Sequence, residues 1–461
     1  MSLVTIIGAG LAGAEAAWQV ARRGRPVRLF EMRPRVKTPA HQTGLFAELV
    51  CSNSLKSQEL GSASGLLHAE ADRLGSFILE VARRHAVPAG TALAVDRVAF
   101  AEEVTARLEA HPLIQVVREE VRGIPDMRPL IVATGPLTAD ALAADLRTRF
   151  DHYLAEQARA RASAPNGEAT SAEAPRFLFF YDAISPIVVG DSIDRSRVFA
   201  ASRYGKGGED YLNCPLTEAE YHAFWQGLVG AECYPLHPFE DLEEARFFEG
   251  CLPIEELARR GREALAYGPM RPVGLEDPRT GRRPYAVVQL RREDVEGRMF
   301  NLVGFQTRLR RGEQQRLFRM IPGLEAAEFL RYGSVHRNTY IASPALLQPT
   351  LQFRGDKGLF LAGQLIGVEG YLESMASGLV SGINAVRLVR DLEPVVPPAT
   401  TMLGALLRYV TETPAKDFQP MNANFGLLPL LAARIRDKRE RKAALASRSL
   451  KDLEKWASVL D

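Results

Sequence analysis

The stretch "LVTIIGAGLAGAEAAWQVARRGRPVRLFEM", residues 3–32, constrains this chain more than any other. "LVTII" reads as a short buried strand. A helix with Ala, Leu and Trp at helical spacing follows, Gly24 stops it, and "PVRLFEM" is a second strand. Strand, glycine turn, helix and strand make one βαβ unit of a parallel sheet. Gly8, Gly10 and Gly13 form G-x-G-x-x-G at the first junction. The first glycine allows the tight turn, the second lets backbone approach a pyrophosphate, and the third permits close helix–strand packing. The phosphate sits at the helix N-terminus. Glu31 ends the second strand, where an acid holds ribose hydroxyls and repels a 2′-phosphate, so FAD or NAD is expected rather than NADP.

The rest of the chain must complete this unit. Residues 60–85 read as helical and 93–121 as an α+β stretch ending in "LIQVVREEV", with Val121 placed among the cofactor contacts. "RPLIVATG" (128–135) is another buried strand entering a small-residue turn. Residues 157–176, rich in Ala and Ser without an apolar stripe, read as a loop. "KGLFLAGQLIGVEGYLESMASGLVSGINAVRLV" (357–389) returns to strand, glycine turn and helix, and beyond residue 400 the chain is mostly helical. The expected architecture is α/β, a Rossmann-like FAD-binding domain of the glutathione-reductase and GidA type. It is discontinuous (1–184 and 325–461), with an inserted α+β domain at 185–324 facing the substrate.

Composition narrows the class. With 461 residues, 46% hydrophobic and 25% charged, the chain suits a soluble globular protein of two or three domains. Its four cysteines are scattered without a C-x-x-C pair, which argues against a zinc ribbon or redox dithiol, and no metal is expected. The N-terminus lacks a basic n-region and no run of about 18 apolar residues occurs. A reducing cytoplasm and no membrane partner are expected; oligomeric state stays open, with a monomer compatible.

FAD is favoured over NAD by two later segments. "LIVATG", with Thr134 and Gly135, resembles the second strand-turn of two-dinucleotide-fold flavoproteins. "GLFLAGQ", with Gly363 and Gln364, resembles the late segment that meets the flavin's phosphate and ribityl chain, although the usual Gly-Asp is Gly-Gln here. A more specific resemblance follows from "FAELVCSNSLKS", "YDAISPIV", "SRYGKGGEDYLNCPL", "FFEGCLPIEELARRG", "YGPMRPVGL", "NLVGFQTRLRRGEQQRLFRMIPGL", "RYGSVHRNTYI" and "LAGQLIGVEGYLESMASGLVSGINA". In this order they resemble the folate- and FAD-dependent tRNA uracil-5-methyltransferase family, from residue 4 to about 430. The resemblance implies methyl transfer to C5 of a T-loop uridine of tRNA (position 54). The one-carbon unit would come from 5,10-methylenetetrahydrofolate, and the electrons from reduced FAD replenished by NADH or NADPH.

That chemistry asks for a thiolate adding at C6 of the uracil, a base removing the C5 proton, and hydride delivery. Cys51 in "LVCSNS" and Cys214 in "LNCPL" stand in matching motifs. The flanking Ser52, Asn53, Ser54 and Lys56 are expected to favour a thiolate. Cys214 is read as nucleophile and Cys51 as base, with the reverse assignment open. Cys251 is read as structural, and Cys233 has no role. His336 is expected to stack on the pterin, with Arg337 and Asn338 at the folate's polar edges. For tRNA, residues 281–319 hold ten Arg against four acids. Arg282, Arg283, Arg308, Arg310 and Arg311, with Lys206 in a Gly-rich loop, are expected on the phosphates, and "RIRDKRERK" (434–442) adds a second basic segment. Three rivals compete with this reading, one of them a non-catalytic flavin-binding scaffold that grips tRNA without modifying it. A GidA-type wobble-uridine enzyme would be longer, and a small-molecule FAD oxidoreductase would show a second dinucleotide fingerprint or a redox cysteine pair.

Overall fold

The computed structural model describes residues 2–162, 177–205, 208–235 and 252–460, with the side chains of 161–162, 177–183 and 335–337 outside it. The first unit forms as the sequence dictates. Val4–Ile7 is buried throughout, and the Leu11–Ala21 helix buries every residue except Trp18. Six strands make the first sheet in the order Gln352–Phe353, Asp356–Leu361, Leu130–Val132, Val4–Ile7, Val27–Phe30, Ile114–Val117. All pair in parallel except the first two. Val4–Ile7 lies between Val27–Phe30 and Leu130–Val132, so the glycine turn, Glu31 and "ATG" share the carboxyl edge, where such sheets bind ligands.

The helix Tyr371–Val389 closes this domain by lying against Leu11–Ala21 through a stripe of small residues one helical turn apart. A Cβ on Gly378 would meet the Ala12 carbonyl oxygen at 2.1 Å, and one on Gly382 the Ala16 carbonyl oxygen at 2.8 Å. Late sequence therefore packs on early sequence, as a discontinuous domain requires.

A second six-stranded sheet holds its own core. Its order is Phe199–Ala200, Tyr211–Leu216, Ala286–Arg292, Met299–Leu302, Ile187–Val189, Phe329–Arg331. It runs past residue 324 to Arg331. The strands Phe177–Ile184 and Ser334–Ile341 pair antiparallel between the two sheets along the chain. A three-stranded sheet places Ser54–Ser57 beside Ala92–Val95 and Ala86–Val87. Residues 157–162 are the end of the helix Asp140–Ala162, not loop; Ala and Arg are strong helix formers even without an apolar stripe. Residues 163–176 lie outside the described residues. No helix among the described residues is long and apolar enough to cross a membrane.

Candidate active site

A cleft of about 460 Å³ opens along the carboxyl edge of the first sheet, within the range of small-ligand sites. Gly8, Gly10, Glu31, Val121, Thr134, Gly135, Gly363 and Gln364 all line it. Gly13 stands behind them, where a Cβ would meet the Gly8 carbonyl oxygen at 1.8 Å. Gly8 has φ +96° and would drive a Cβ into the Ala133 carbonyl, whereas a Cβ on Gly10 would meet open space. The helix starting at Leu11 has no side-chain cap, so its first N–H groups face the cleft free. This cradle fits a pyrophosphate.

Glu31 is 5% exposed and takes both ends of the Arg33 guanidinium, at 2.9 and 3.2 Å, plus the Ala9 N–H at 3.0 Å. Burial alone would raise its carboxyl, but the Arg33 guanidinium and these N–H donors outweigh burial and hold it below its ordinary value. It is a fixed carboxylate at the end of the second strand, beside the glycine turn. At the late segment the Gly363 N–H donates to Ser377 Oγ (2.7 Å), and Gln364 Nε2 donates to Glu369 (2.9 Å). The Gly-Gln departure thus builds a side-chain link rather than leaving a gap.

Cys51 is half-buried and faces this cleft. Its sulfur lies 3.0 Å from Tyr371 Oη, at the N-terminus of the late helix. That oxygen already accepts the Cys51 N–H (2.8 Å) and the Ser52 N–H (3.3 Å). Burial and the neighbouring Cys51 push the Tyr371 hydroxyl well above its ordinary value. It stays protonated, and with two N–H groups on its oxygen its own proton is left for the sulfur. The contact favours a thiolate at Cys51.

The flanking residues do other work than expected. Ser52 Oγ accepts from Arg291 (2.8 Å), and Asn53 Nδ2 donates to the carbonyls of Val95 and Arg292, both at 2.9 Å. Lys56, at φ +69°, pairs with the buried Glu373 (2.6 Å). These residues fasten the turn; the hydroxyl that touches the sulfur comes from Tyr371, 320 positions away.

Cys214 is not brought to the cleft. It sits on Tyr211–Leu216 with 0% exposure, in the apolar core of the second sheet with Leu212, Phe224 and Leu290. Burial pushes its thiol far up, so it is a neutral core group in this conformation. Cys233 is half-buried, its thiol raised by burial too. Cys251 and Lys206 lie outside the described residues.

Asn338 lines the cleft, is 3% exposed, and its Nδ2 has no partner among the described residues. A buried donor aimed at a ligand cleft without a partner is a vacancy for an acceptor. The backbone of His336 and Arg337 runs in the strand Ser334–Ile341, with their side chains outside the described residues. Of the basic residues, Arg282, Arg283, Arg310 and Arg311 are exposed. Arg310 pairs with Glu232 at 3.2 Å, and Arg311 lies over the Tyr332 ring at 5.5 Å. Arg308 is buried in an ion pair with Glu256 and is not presented to a phosphate. Its partner lies some fifty residues earlier, beyond the reach of local pattern.

Fold and cleft together define a Rossmann-like FAD-binding protein with an inserted second sheet. The solved structures that resemble it include the GidA of Aquifex aeolicus, with a TM-score of 0.65 at 18% identity over 98% of this chain and 73% of that one. Residues 3–393 match the Glucose inhibited division protein A family. The chain belongs to that family and, within it, groups with methylenetetrahydrofolate--tRNA-(uracil-5-)-methyltransferase TrmFO. It is 57% identical to TrmFO of Moorella thermoacetica, over 97% of this chain and 96% of the relative. Against TrmFO of Heliobacterium modesticaldum it is 54% identical, over 98% and 97%.

Proposed function

We propose that this chain methylates C5 of a uridine in the T loop of tRNA, position 54, with 5,10-methylenetetrahydrofolate as one-carbon donor. Near full-length identity above 50% to relatives named for that reaction carries the reading. The cleft supports it by holding one accessible thiol beside a dinucleotide cradle. The pyrophosphate of FAD fits the Gly8–Gly10 turn, its ribose fits Glu31, and Thr134, Gly135, Val121, Gly363 and Gln364 would hold the remainder. When bound, reduced FAD supplies the two electrons that turn a methylene into a methyl. NADH or NADPH is the source of those electrons.

This chain's own residues handle the uracil. Tyr371 orients the Cys51 sulfur and keeps it ready as a thiolate, so that it takes the C5 proton once C6 carries a nucleophile and C5 has bonded the one-carbon unit. Asn338 offers its free Nδ2 to an acceptor of the bound folate or flavin. With Cys214 sealed in a core and Cys233 absent from the cleft wall, its thiol raised by burial, the sulfur that adds at C6 is assigned to Cys251. A T-loop uridine must be unstacked to reach this cleft. The exposed Arg282, Arg283, Arg310 and Arg311 would take phosphates around it, in the cytoplasm where unmodified tRNA is processed.

The test is methyl transfer to an unmodified tRNA transcript with methylenetetrahydrofolate and NADH, against a tube holding S-adenosylmethionine, with nucleosides read by mass spectrometry. 5-Methyluridine from the folate tube alone, lost in Cys51→Ala while the protein stays yellow, is expected. Full activity of Cys51→Ala removes this cysteine from the mechanism.

A further inference from the structure

The turn that carries Cys51 is gripped by three arginines from three elements. Arg97, first residue of the helix Arg97–Glu109, donates to the Leu49 carbonyl at 3.0 Å. Arg331, at the end of Phe329–Arg331, donates to the Val50 carbonyl at 2.8 Å. Arg291, in Ala286–Arg292, donates to Ser52 Oγ at 2.8 Å. Arg291 is 8% exposed, and its Nε, like Nη2 of Arg97, has no partner among the described residues.

The charges facing one another here do not balance. Glu293 is buried, pairs with Arg97 at 2.6 Å and also faces Arg291, as does the Tyr211 hydroxyl. Glu48 faces Arg331 but is engaged by Arg33 at 3.2 Å, and His41 faces Arg331 from the same loop. Lys56 is matched by Glu373, and Tyr371 is neutral. Neither Arg291 nor Arg331 has a carboxylate in ion-pair contact among the described residues. Burial, with Arg97 adding to it, pushes both guanidiniums below their ordinary value. All three arginines act electrostatically on Cys51. A negative sulfur is the anion this cluster lacks.

We propose that Arg97, Arg291 and Arg331 are positioning residues for Cys51, fixing its turn and biasing its sulfur to the thiolate. Arg291 and Arg331 belong to the second sheet, so the reactivity of a thiol in the FAD-binding domain depends on the inserted domain docked beside it. This deepens the role given to Cys51 above and rests on that reading, while its test needs no methyl transfer.

The experiment is the pH profile of alkylation of Cys51 by iodoacetamide in the flavin-loaded protein, followed on the Cys51 peptide by mass spectrometry. An ordinary thiol has its midpoint near pH ~8.5. The expected midpoint is at least about one pH unit lower, a tenfold gain in thiolate near neutrality. Arg291→Gln and Arg331→Gln should each move it up by about a unit, and Arg331→Lys should restore most of the shift. A wild-type midpoint at the ordinary value, or a Cys51 unreactive at every pH, overturns the proposal even if the variants do not fold. So does an unchanged midpoint in glutamine variants that keep their flavin and circular dichroism. A depressed midpoint in a protein that makes no 5-methyluridine would discard the proposed reaction and leave the clamp standing.

Discussion

Replacing Gly378 by alanine tests whether the dinucleotide cradle depends on the contact between the first and the late helix. The new Cβ would stand 2.1 Å from the Ala12 carbonyl oxygen and 2.7 Å from its carbon and Cα. These are backbone atoms and cannot rotate away. Restoring ordinary contact requires the helices to part by roughly an ångström, and overpacking of this kind costs about 1–3 kcal/mol. The same movement pulls Ser377 from the buried Gly363 N–H, now 2.7 Å away, and an orphaned buried donor costs about 1–3 kcal/mol more. Alanine gains up to about 1 kcal/mol of helix propensity over glycine. The net is a loss of roughly 1–6 kcal/mol, which at about 1 kcal/mol per kelvin for a chain of this size lowers Tm by roughly 1–6 °C. Thermal unfolding by circular dichroism gives the Tm, and the flavin absorbance of purified protein gives occupancy, expected to fall because Leu11 and Ala12 line the cleft. Gly312 is the control: it lies in the helix Arg311–Phe318, a Cβ there meets nothing, and Gly312→Ala should be neutral or slightly stabilising. Gly378→Ala melting at or above the parent with full flavin would refute the packing argument.

Three further outcomes are expected. Burial pushes the Glu70 carboxyl up to about 7, against hydrogen bonds from the Met402 and Leu403 N–H groups and Ser449. A carboxyl raised on folding contributes stability that is full below its unfolded value and lost as pH rises through about 7. Unfolding free energy should therefore fall between pH ~5 and ~7, by up to about 1.4 kcal/mol per unit, in denaturant titrations of the parent, and Glu70→Gln should lack that slope. Glu31→Ala leaves the buried Arg33 with Glu48 alone; a loss of about 3 kcal/mol is expected by denaturant titration, with flavin released on gel filtration. In the tRNA assay Cys214→Ala should keep methylation, with a modest loss of stability for the vacated core volume, and Cys251→Ala should abolish it. The opposite pair of results would return the nucleophile to Cys214.

Much of the FAD-binding half was legible because its signals are local. The glycine fingerprint, the acid ending the second strand, and the strand-turn segments at 130–135 and 357–364 each lie within a few residues, and the sheet brings them to one edge. Cys214 shows what a motif alone does not tell. "LNCPL" marked it as a candidate, yet in a strand successive side chains point to opposite faces. Leu212, Cys214 and Leu216 share one face, and all three are buried. The period of two marked the cysteine as core. Arg308 carries no such mark, since the carboxylates that bury it come from another part of the chain.

Cys51 was singled out by its motif, and its polar flanks serve another purpose than the one expected of them. Ser52 and Asn53 tie the turn to the strand Ala286–Arg292, and Lys56 ties it to the late helix, so small polar residues there are joints between elements. What touches or polarises the sulfur comes from Tyr371, Arg97, Arg291 and Arg331, all distant in sequence. A thiol activated by its immediate neighbours would be reactive in any fold that exposed it. One activated from four separate elements is reactive only in the assembled chain, beside the cradle and the Asn338 amide, whose Nδ2 has no partner among the described residues. An activated thiolate is open to attack on adventitious electrophiles, and confining its activation to the folded cleft limits that exposure.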